Sequence, residues 1–489
     1  MNISQKELQI KNSIIYLIPM IVKNLLPFIT IPIFTRILLP KDYGHLAISM
    51  IFATLFSGLA NFGLTSIYDR SYFEYKKNLK ESSQLLFSIL LYLIISFVIF
   101  LIFTYYFKLS ISNFLFNSFE FGDLIFWTLF GQLFISINYY YLAFYKNSEN
   151  AKQYSLYTII ISILNFLLSI YFIVFLHKGI IGIVYAQSLS GFIVCIYLTF
   201  IFVKNMGFFI NTNFLFDSLK ISFPLTPKIF LGIINTQFDK YVISLMESAG
   251  GVGIYSIGQR ISNVCWVFMG SLQNVFSPQI YKRLFNQNNK NNPEDIGSYL
   301  YPFVYIAILP TFILAIFSSE LISILTPSSY HGAINIVSIL CLYYGIVLFR
   351  KFYGVQIIFS KKTLNILAES IVSIFLNIIL NIILIKEFGI IGAAIATLLT
   401  GSITVPIFFL IAQKLYSINW EFKKILFIYL SFISFTLVIV TMRFYDINYI
   451  NILLVKLIAI TCYLLIGIKS NIISKKNYLV FKRAIFSSK

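Results

Sequence analysis

Six basic side chains interrupt stretches that are otherwise almost wholly apolar: Lys23, Lys220, Lys228, Arg260, Arg350 and Lys351. An ionisable group in a bilayer costs roughly 2.5–3.5 kcal/mol on insertion scales, so it tends to face a protein interior and to mark a pathway. Spacing ties these residues to other polar ones. Lys228, Asn235 and Asp239 follow at i, i+7 and i+11, one face of a helix. Ser256, Arg260, Asn263 and Ser271 make a second stripe, and Asn12, Tyr16, Lys23 and Thr30 a third. Tyr343 and Arg350 are seven apart, with Tyr353 close by. Tyrosine beside arginine suits stacking on a sugar ring and pairing with a phosphate. The chemistry on offer is non-covalent capture of a polar, anionic group.

Other readings compete at several of these positions. Lys220 and Lys351 read better as stems that snorkel to the membrane edge. Asp239 has a rival partner in Lys240 at the outer rim. Glu369 and Asp123 are the acidic candidates for coupling a proton or sodium ion, although anchoring at the interface explains them more simply. Asp69 with Arg70 forms either a local ion pair or a cytoplasmic gate. Cys195, Cys265, Cys341 and Cys462 lie singly, without metal-ligand spacing or a disulfide framework. No GxxxxGK[ST] phosphate loop occurs, so ATP hydrolysis by this chain has no support. Neither a metal nor a cofactor is expected.

The elements that must carry these residues are membrane helices. Of the 489 residues 58% are apolar and 11% charged, and the mean hydropathy is +0.85. Those values exclude a soluble enzyme, a secreted disulfide scaffold and a disordered chain. Fourteen spans are expected, near 12–35, 43–68, 82–107, 121–145, 153–176, 179–203, 217–239, 249–277, 297–325, 332–359, 363–385, 389–413, 425–443 and 448–468. The polar N-terminus and the proline-bearing run after it lack a small-residue cleavage site and read as a retained first helix. The net charge of +19 fits basic cytoplasmic loops rather than nucleic acid. With both termini inside, 23 basic residues fall on the cytoplasmic side and 8 on the outer side. No outer loop then exceeds about a dozen residues.

The chain also repeats itself. GIIGIVYAQSLSGFI from Gly179 recurs as GIIGAAIATLLTGSI from Gly389, with eight of fifteen positions identical at an offset of 210. Three glycine pairs keep register, Gly179/Gly389, Gly182/Gly392 and Gly191/Gly401, and a similar offset brings Gly44 onto Gly253. Both first helices carry paired prolines, Pro19 with Pro27 and Pro224 with Pro227, which predict broken helices. The expected fold is all-α and polytopic, with six-helix lobes at 1–204 and 205–414 related by a pseudo-twofold repeat. Two further helices and a basic tail occupy 415–489.

Several blocks occur in an order that resembles one family: TRILLPKDYG from Thr35 and NFGL from Asn61, then FPLTP, GVGIYSIGQRIS and FSPQIY between Phe223 and Tyr281. Asn377, Asn381 and LIKEFGIIGAAIAT continue in the same style. The chain is similar, over roughly 12–415, to bacterial polysaccharide-biosynthesis membrane proteins. These are the oligosaccharide-lipid flippases of the multidrug/oligosaccharidyl-lipid/polysaccharide exporter superfamily. The resemblance implies a transporter, not an enzyme, in the bacterial cytoplasmic membrane. It would carry an undecaprenyl-pyrophosphate-linked oligosaccharide to the outer leaflet by alternating access through a cationic cavity. The product would enter O-antigen or capsule. A monomer is expected, working with a polysaccharide polymerase and chain-length machinery. Expected substrate contacts are Lys23, Lys228, Arg260, Arg350, Asn235, Asn263, Tyr343 and Tyr353, and expected gate or ion-coupling residues are Asp239, Glu369, Asp69 and Arg70. An ion-coupled drug or cation antiporter would call for acidic sites at depth. A membrane glycosyltransferase or polymerase would call for positioned carboxylates and a substantial outer loop.

Overall fold

A computed structural model describes residues 3–75, 79–223, 226–285, 294–362, 364–445 and 447–472, and among them the chain is helical, with no strand. It divides into two compact units, Met1–Gly253 and Ile254–Lys489. The first holds α1 (Ile3–Phe34), α2 (Pro40–Asn61), α3 (Leu64–Tyr75), α4 (Leu79–Phe116), α5 (Gly122–Asn147), α6 (Ala151–Ile170), α7 (Ile180–Met206), α8 (Thr212–Ser222) and α9 (Thr226–Met246). The helix α10 (Ala249–Phe285) begins in the first unit and continues in the second. There follow α11 (Glu294–Ile316), α12 (Ser318–Leu325), α13 (Ala333–Phe359), α14 (Leu364–Leu415), α15 (Phe422–Phe444) and α16 (Tyr449–Lys469).

Nine helices among the described residues are long and apolar enough to cross a membrane. They are α2, α4, α6 with its π-helical extension to Phe175, α7, α11, α13, α14, α15 and α16. At 52 residues α14 would run about 78 Å at 1.5 Å per residue, more than twice a hydrocarbon core of ~30 Å. It bends at Gly389, where the backbone leaves the helical region, so one long element serves as the two expected spans. Of the other long helices, α5, α9 and α10 are interrupted by polar residues, while the described apolar part of α1 is the shorter Ile21–Phe34; α1, α9 and α10 carry Lys23, Lys228 and Arg260.

Three expected spans are cut differently. The stretch 43–68 breaks at Phe62 and Gly63, both at positive φ (47° and 77°), which ends α2 and restarts the chain as α3. A Cβ on Gly63 would lie 2.7 Å from the Ser222 carbonyl oxygen, so glycine is required for space as well as for backbone angle. The stretch 217–239 is two helices. Lys220 belongs to the short α8, packed on α3 and α4, while α9 packs on α2. Pro224 lies outside the described residues, and Pro227 sits in the first turn of α9, where a proline forfeits no helix hydrogen bond. The stretch 297–325 breaks at Phe317 and leaves α12 as a separate eight-residue helix.

The glycine register of the repeat has a structural cause. Gly179 has φ 59° and ψ −145°, and Gly389 has φ 58° and ψ −144°. That conformation is strained for any L side chain. A Cβ on Gly191 would come within 2.8 Å of Phe134 Cβ in α5, and one on Gly401 within 2.9 Å of the Tyr343 ring in α13. Within the first unit Gly44 and Gly253 make a reciprocal crossing. A Cβ on Gly44 would meet the Ala249 oxygen at 1.7 Å, and one on Gly253 the Pro40 oxygen at 1.8 Å.

Polar bridges orient helices whose surfaces are otherwise apolar. In the first unit Tyr140 Oη donates to Asn61 Oδ1 (3.0 Å), and Asn138 Nδ2 donates to the Gly191 carbonyl (2.9 Å). In the second, Tyr305 and Tyr463 each donate to the other's backbone carbonyl, at 3.2 and 2.9 Å, fixing α16 to α11. Arg443 of α15 donates to Ser318 Oγ (2.9 Å), Ser338 Oγ (3.1 Å) and the Ile316 carbonyl (2.8 Å). Lys456 of α16, fully buried, is ion-paired to Glu320 of α12, which also accepts from Tyr449 Oη at 2.9 Å. The two C-terminal helices are thus held to the second unit by charge as well as by packing.

Candidate functional site

In the second unit three helices bring polar side chains together. On α10, Asn263, Trp266, Gly270 and Gln273 stand at i, i+3, i+7 and i+10, one face, with Arg260 and Asn263 exposed at its edge. The opposite face is buried: Ile257, Ile261 and Cys265 are at most 3% exposed. That face fixes the rotation of the helix, helped by Ser262 Oγ, which donates to the Gly258 carbonyl at 2.8 Å and reaches the Val337 carbonyl of α13 at 3.4 Å.

On α13, Tyr343, Arg350 and Gly354 share a face by their i, i+7, i+11 spacing, and Lys351 stands beside it. Arg350 Nε donates to Glu369 Oε1 of α14 at 2.6 Å, and the buried Tyr353 hydroxyl donates to the same oxygen. The Glu369 side chain is only 4% exposed, that of Arg350 30%. Three expected site residues therefore form one cluster, in which the guanidinium already has a carboxylate. Interface anchoring of Glu369, the simpler reading of the sequence, does not describe a carboxylate so enclosed. Below it α14 continues a buried polar stripe, Ser373, Asn377 and Asn381, with Asn381 Nδ2 donating to the Asn377 carbonyl at 2.9 Å.

Lys351 does not follow the snorkelling expectation. Its Nζ lies 3.9 Å from the centroid of the Trp266 ring and donates to Gln273 Oε1 at 3.1 Å. A Cβ built on Gly270 would meet only this Nζ, at 3.9 Å, and one on Gly354 would meet nothing within 4 Å. The space between the two helices at this level is open. Trp266 and Gln273 were not among the expected site residues; the signal for them was their helical spacing with Asn263 and Gly270.

The candidates of the first unit are dispersed. Lys23 is exposed on α1. Asp69 does not pair with Arg70: it accepts from Lys146 Nζ and Asn147 Nδ2, both at 2.8 Å, while Arg70 pairs with Glu74 at 2.8 Å. Neighbouring residues on a helix point about 100° apart, so i and i+4 meet where i and i+1 do not. Lys240 donates to Gln237 Oε1 at 3.1 Å, and Asp239 is buried. Asp123 pairs with Lys108 at 2.7 Å, joining α5 to α4. The side chains of Lys228 and Asn235 lie outside the described residues, as do the loop lysines 76, 77 and 290 and the tail 473–489. Among the described residues no group of three or more His, Cys, Asp or Glu side chains is placed to hold a metal ion.

Comparison with known proteins places this architecture. The chain is 25% identical over 198 residues to a probable low-salt glycan biosynthesis flippase of Haloferax volcanii, a match spanning 40% of this chain and 41% of that protein. It thus covers about two-fifths of the curated relative. Its fold is shared with the lipid II flippase MurJ in an inward closed conformation, with a TM-score of 0.69, 18% identity, and coverage of 97% of this chain and 99% of that one. An inward-facing multidrug resistance MATE family transporter of the MOP superfamily gives a TM-score of 0.63 at 16% identity, over 82% of this chain and 97% of that one. These similarities establish a MurJ- and MATE-like transporter fold in a multi-pass membrane protein. The family model for "Polysaccharide biosynthesis protein" matches residues 10–282, more than half of the sequence, and the chain belongs to that family.

Proposed function

We propose that this protein is a flippase for a lipid-linked oligosaccharide. It carries an undecaprenyl-pyrophosphate-linked repeat unit from the inner to the outer leaflet of the cytoplasmic membrane, for a surface polysaccharide of the O-antigen or capsule kind. The observation that carries this reading is the polar face of α10 opposite a basic and aromatic face of α13, in a chain of the polysaccharide biosynthesis family. A pyrophosphate head cannot cross bare hydrocarbon, since each unpaired polar group costs several kcal/mol, about 4–8 on alkane scales. Basic side chains along a wet path remove that cost while the lipid tail stays in the bilayer. The lobes of the repeat, 1–204 and 205–414, alternate access, and the helices of 415–489 stand outside it. The protein acts as a monomer, handing its cargo to a polymerase and chain-length machinery. A drug or cation antiporter would need an available carboxylate at depth; of the two buried candidates, Asp239 and Glu369, the latter is already held by Arg350 and Tyr353.

Two experiments test the reading. With 23 basic residues on one side and 8 on the other, a reporter fused after Lys489 should be active only in the cytoplasm. Activity on the outer side would remove a span from the expected fourteen. Arg260→Ala should weaken substrate affinity about 10- to 100-fold, because a charge-assisted hydrogen bond is worth roughly 1.5–3 kcal/mol. Arg260→Lys, which keeps the charge and loses the fork, should fall between the two. Accumulation of lipid-linked oligosaccharide on the inner leaflet of a deletion strain is the readout. Full export by an Arg260→Ala/Lys228→Ala double variant at normal expression would overturn the assignment.

A further inference from the structure

We infer that Lys351, Gln273 and Trp266 form a subsite for the sugar next to the pyrophosphate, with Lys351 rather than Arg350 supplying the charge. The inference rests on the flippase reading and gives it a located contact.

The two adjacent cations differ in what already satisfies them. Arg350 has the Glu369 carboxylate at 2.6 Å. Lys351 has no carboxylate partner among the described residues; there it meets one amide oxygen, at 3.1 Å, and one ring face. An ammonium has three donors, so at least one remains for an incoming oxyanion. The ring contact is the weaker attachment, because a cation over an aromatic face gains less than a cation on a phosphate oxygen. A phosphate arriving between α10 and α13 would draw Nζ off the indole and leave that face free.

A bared tryptophan face then meets the next part of the cargo, and a pyranose ring stacks its apolar C–H face on an indole. Gln273 is two turns further along α10 and offers both a donor and an acceptor to hydroxyl groups. Gly270 and Gly354 provide the room, since neither carries a side chain and no atom fills the space where one would be, apart from the lysine itself. Trp266 keeps its orientation through its packing with the core that includes Val347, Tyr353 and Phe408, and through Tyr344, whose ring centroid lies 6.1 Å away.

The test uses the full chain in nanodiscs and two probes of known structure, farnesyl pyrophosphate and farnesyl-pyrophosphate-linked N-acetylglucosamine. Lys351→Ala should weaken both about 10- to 100-fold, and Lys351→Arg should restore most of the loss. Trp266→Ala should abolish the preference for the glycosylated probe, and Trp266→Phe should keep part of it. Melting curves and elution profiles matching wild type screen out misfolded variants, with Trp266→Phe and Gln273→Ala as the milder pair. Wild-type affinities in Lys351→Ala alongside a loss in Arg260→Ala would overturn the subsite and leave the flippase reading standing. Failure of the wild-type protein to bind either probe would count against the flippase reading itself. An unchanged sugar preference in Trp266→Ala would overturn the stacking role.

Discussion

Arg350→Ala is expected to destabilise the protein by about 3–5 kcal/mol, the cost of leaving a buried charge without its partner. The orphan would be Glu369, whose side chain is 4% exposed and whose other bond is from the Tyr353 hydroxyl. One hydroxyl cannot replace a guanidinium opposite a carboxylate. The double variant Arg350→Ala/Glu369→Gln removes the charge together with its partner and should recover most of the loss. Thermal denaturation of the purified protein, followed by the fraction still monodisperse after heating, separates the two. A single variant as stable as wild type would sink this account, as would a double variant no better than the single one. The comparison also separates the structural contribution of Arg350 from any part in transport, because only the former is restored by neutralising Glu369.

The second large effect is expected at Lys456, which is fully buried in α16 and ion-paired to Glu320 of α12. Lys456→Ala should again cost about 3–5 kcal/mol, localised to the docking of the C-terminal helices. Glu320→Gln should cost less, because an amide oxygen can still accept from Tyr449 and Lys456. Burial pushes the Glu320 carboxyl up, but the hydrogen bonds from Lys456 and Ser319 outweigh it and hold the group below the usual carboxylate range. A depressed folded-state value adds stability above the ordinary carboxyl pKa, and that stability is lost as pH falls through the lowered one. Acid below the ordinary carboxylate range should therefore loosen α16 in the wild type and have little further effect in Glu320→Gln. Proteolysis at the α15–α16 connection, compared across pH, reads this directly. Identical digestion of wild type and Lys456→Ala would refute it.

The sequence by itself determined most of what depends on one helix at a time, although α1 runs as one helix from Ile3 to Phe34 across Pro19 and Pro27, where a break was expected. Hydropathy alone gave a polytopic helical protein, because a backbone in lipid must bond within its own segment. The glycine register predicted a repeat, and the matching angles at Gly179 and Gly389 supply its cause. The basic interruptions of α1, α9 and α10 were legible as Lys23, Lys228 and Arg260, and helical spacing assigned Arg260 and Asn263 to one face. Breaks that depend on a neighbour were not legible, such as the one at Gly63, which is set by the approach of Ser222. Partners across helices were also beyond it. Asp69 with Lys146, Arg350 with Glu369, and Lys351 on Trp266 join residues 77, 19 and 85 positions apart, respectively. Periodicity says which residues share a face, whereas only the rotation and approach of packed helices decides what that face meets. For a charge in an apolar surrounding, that partner decides whether it holds the fold together or stays available to a ligand.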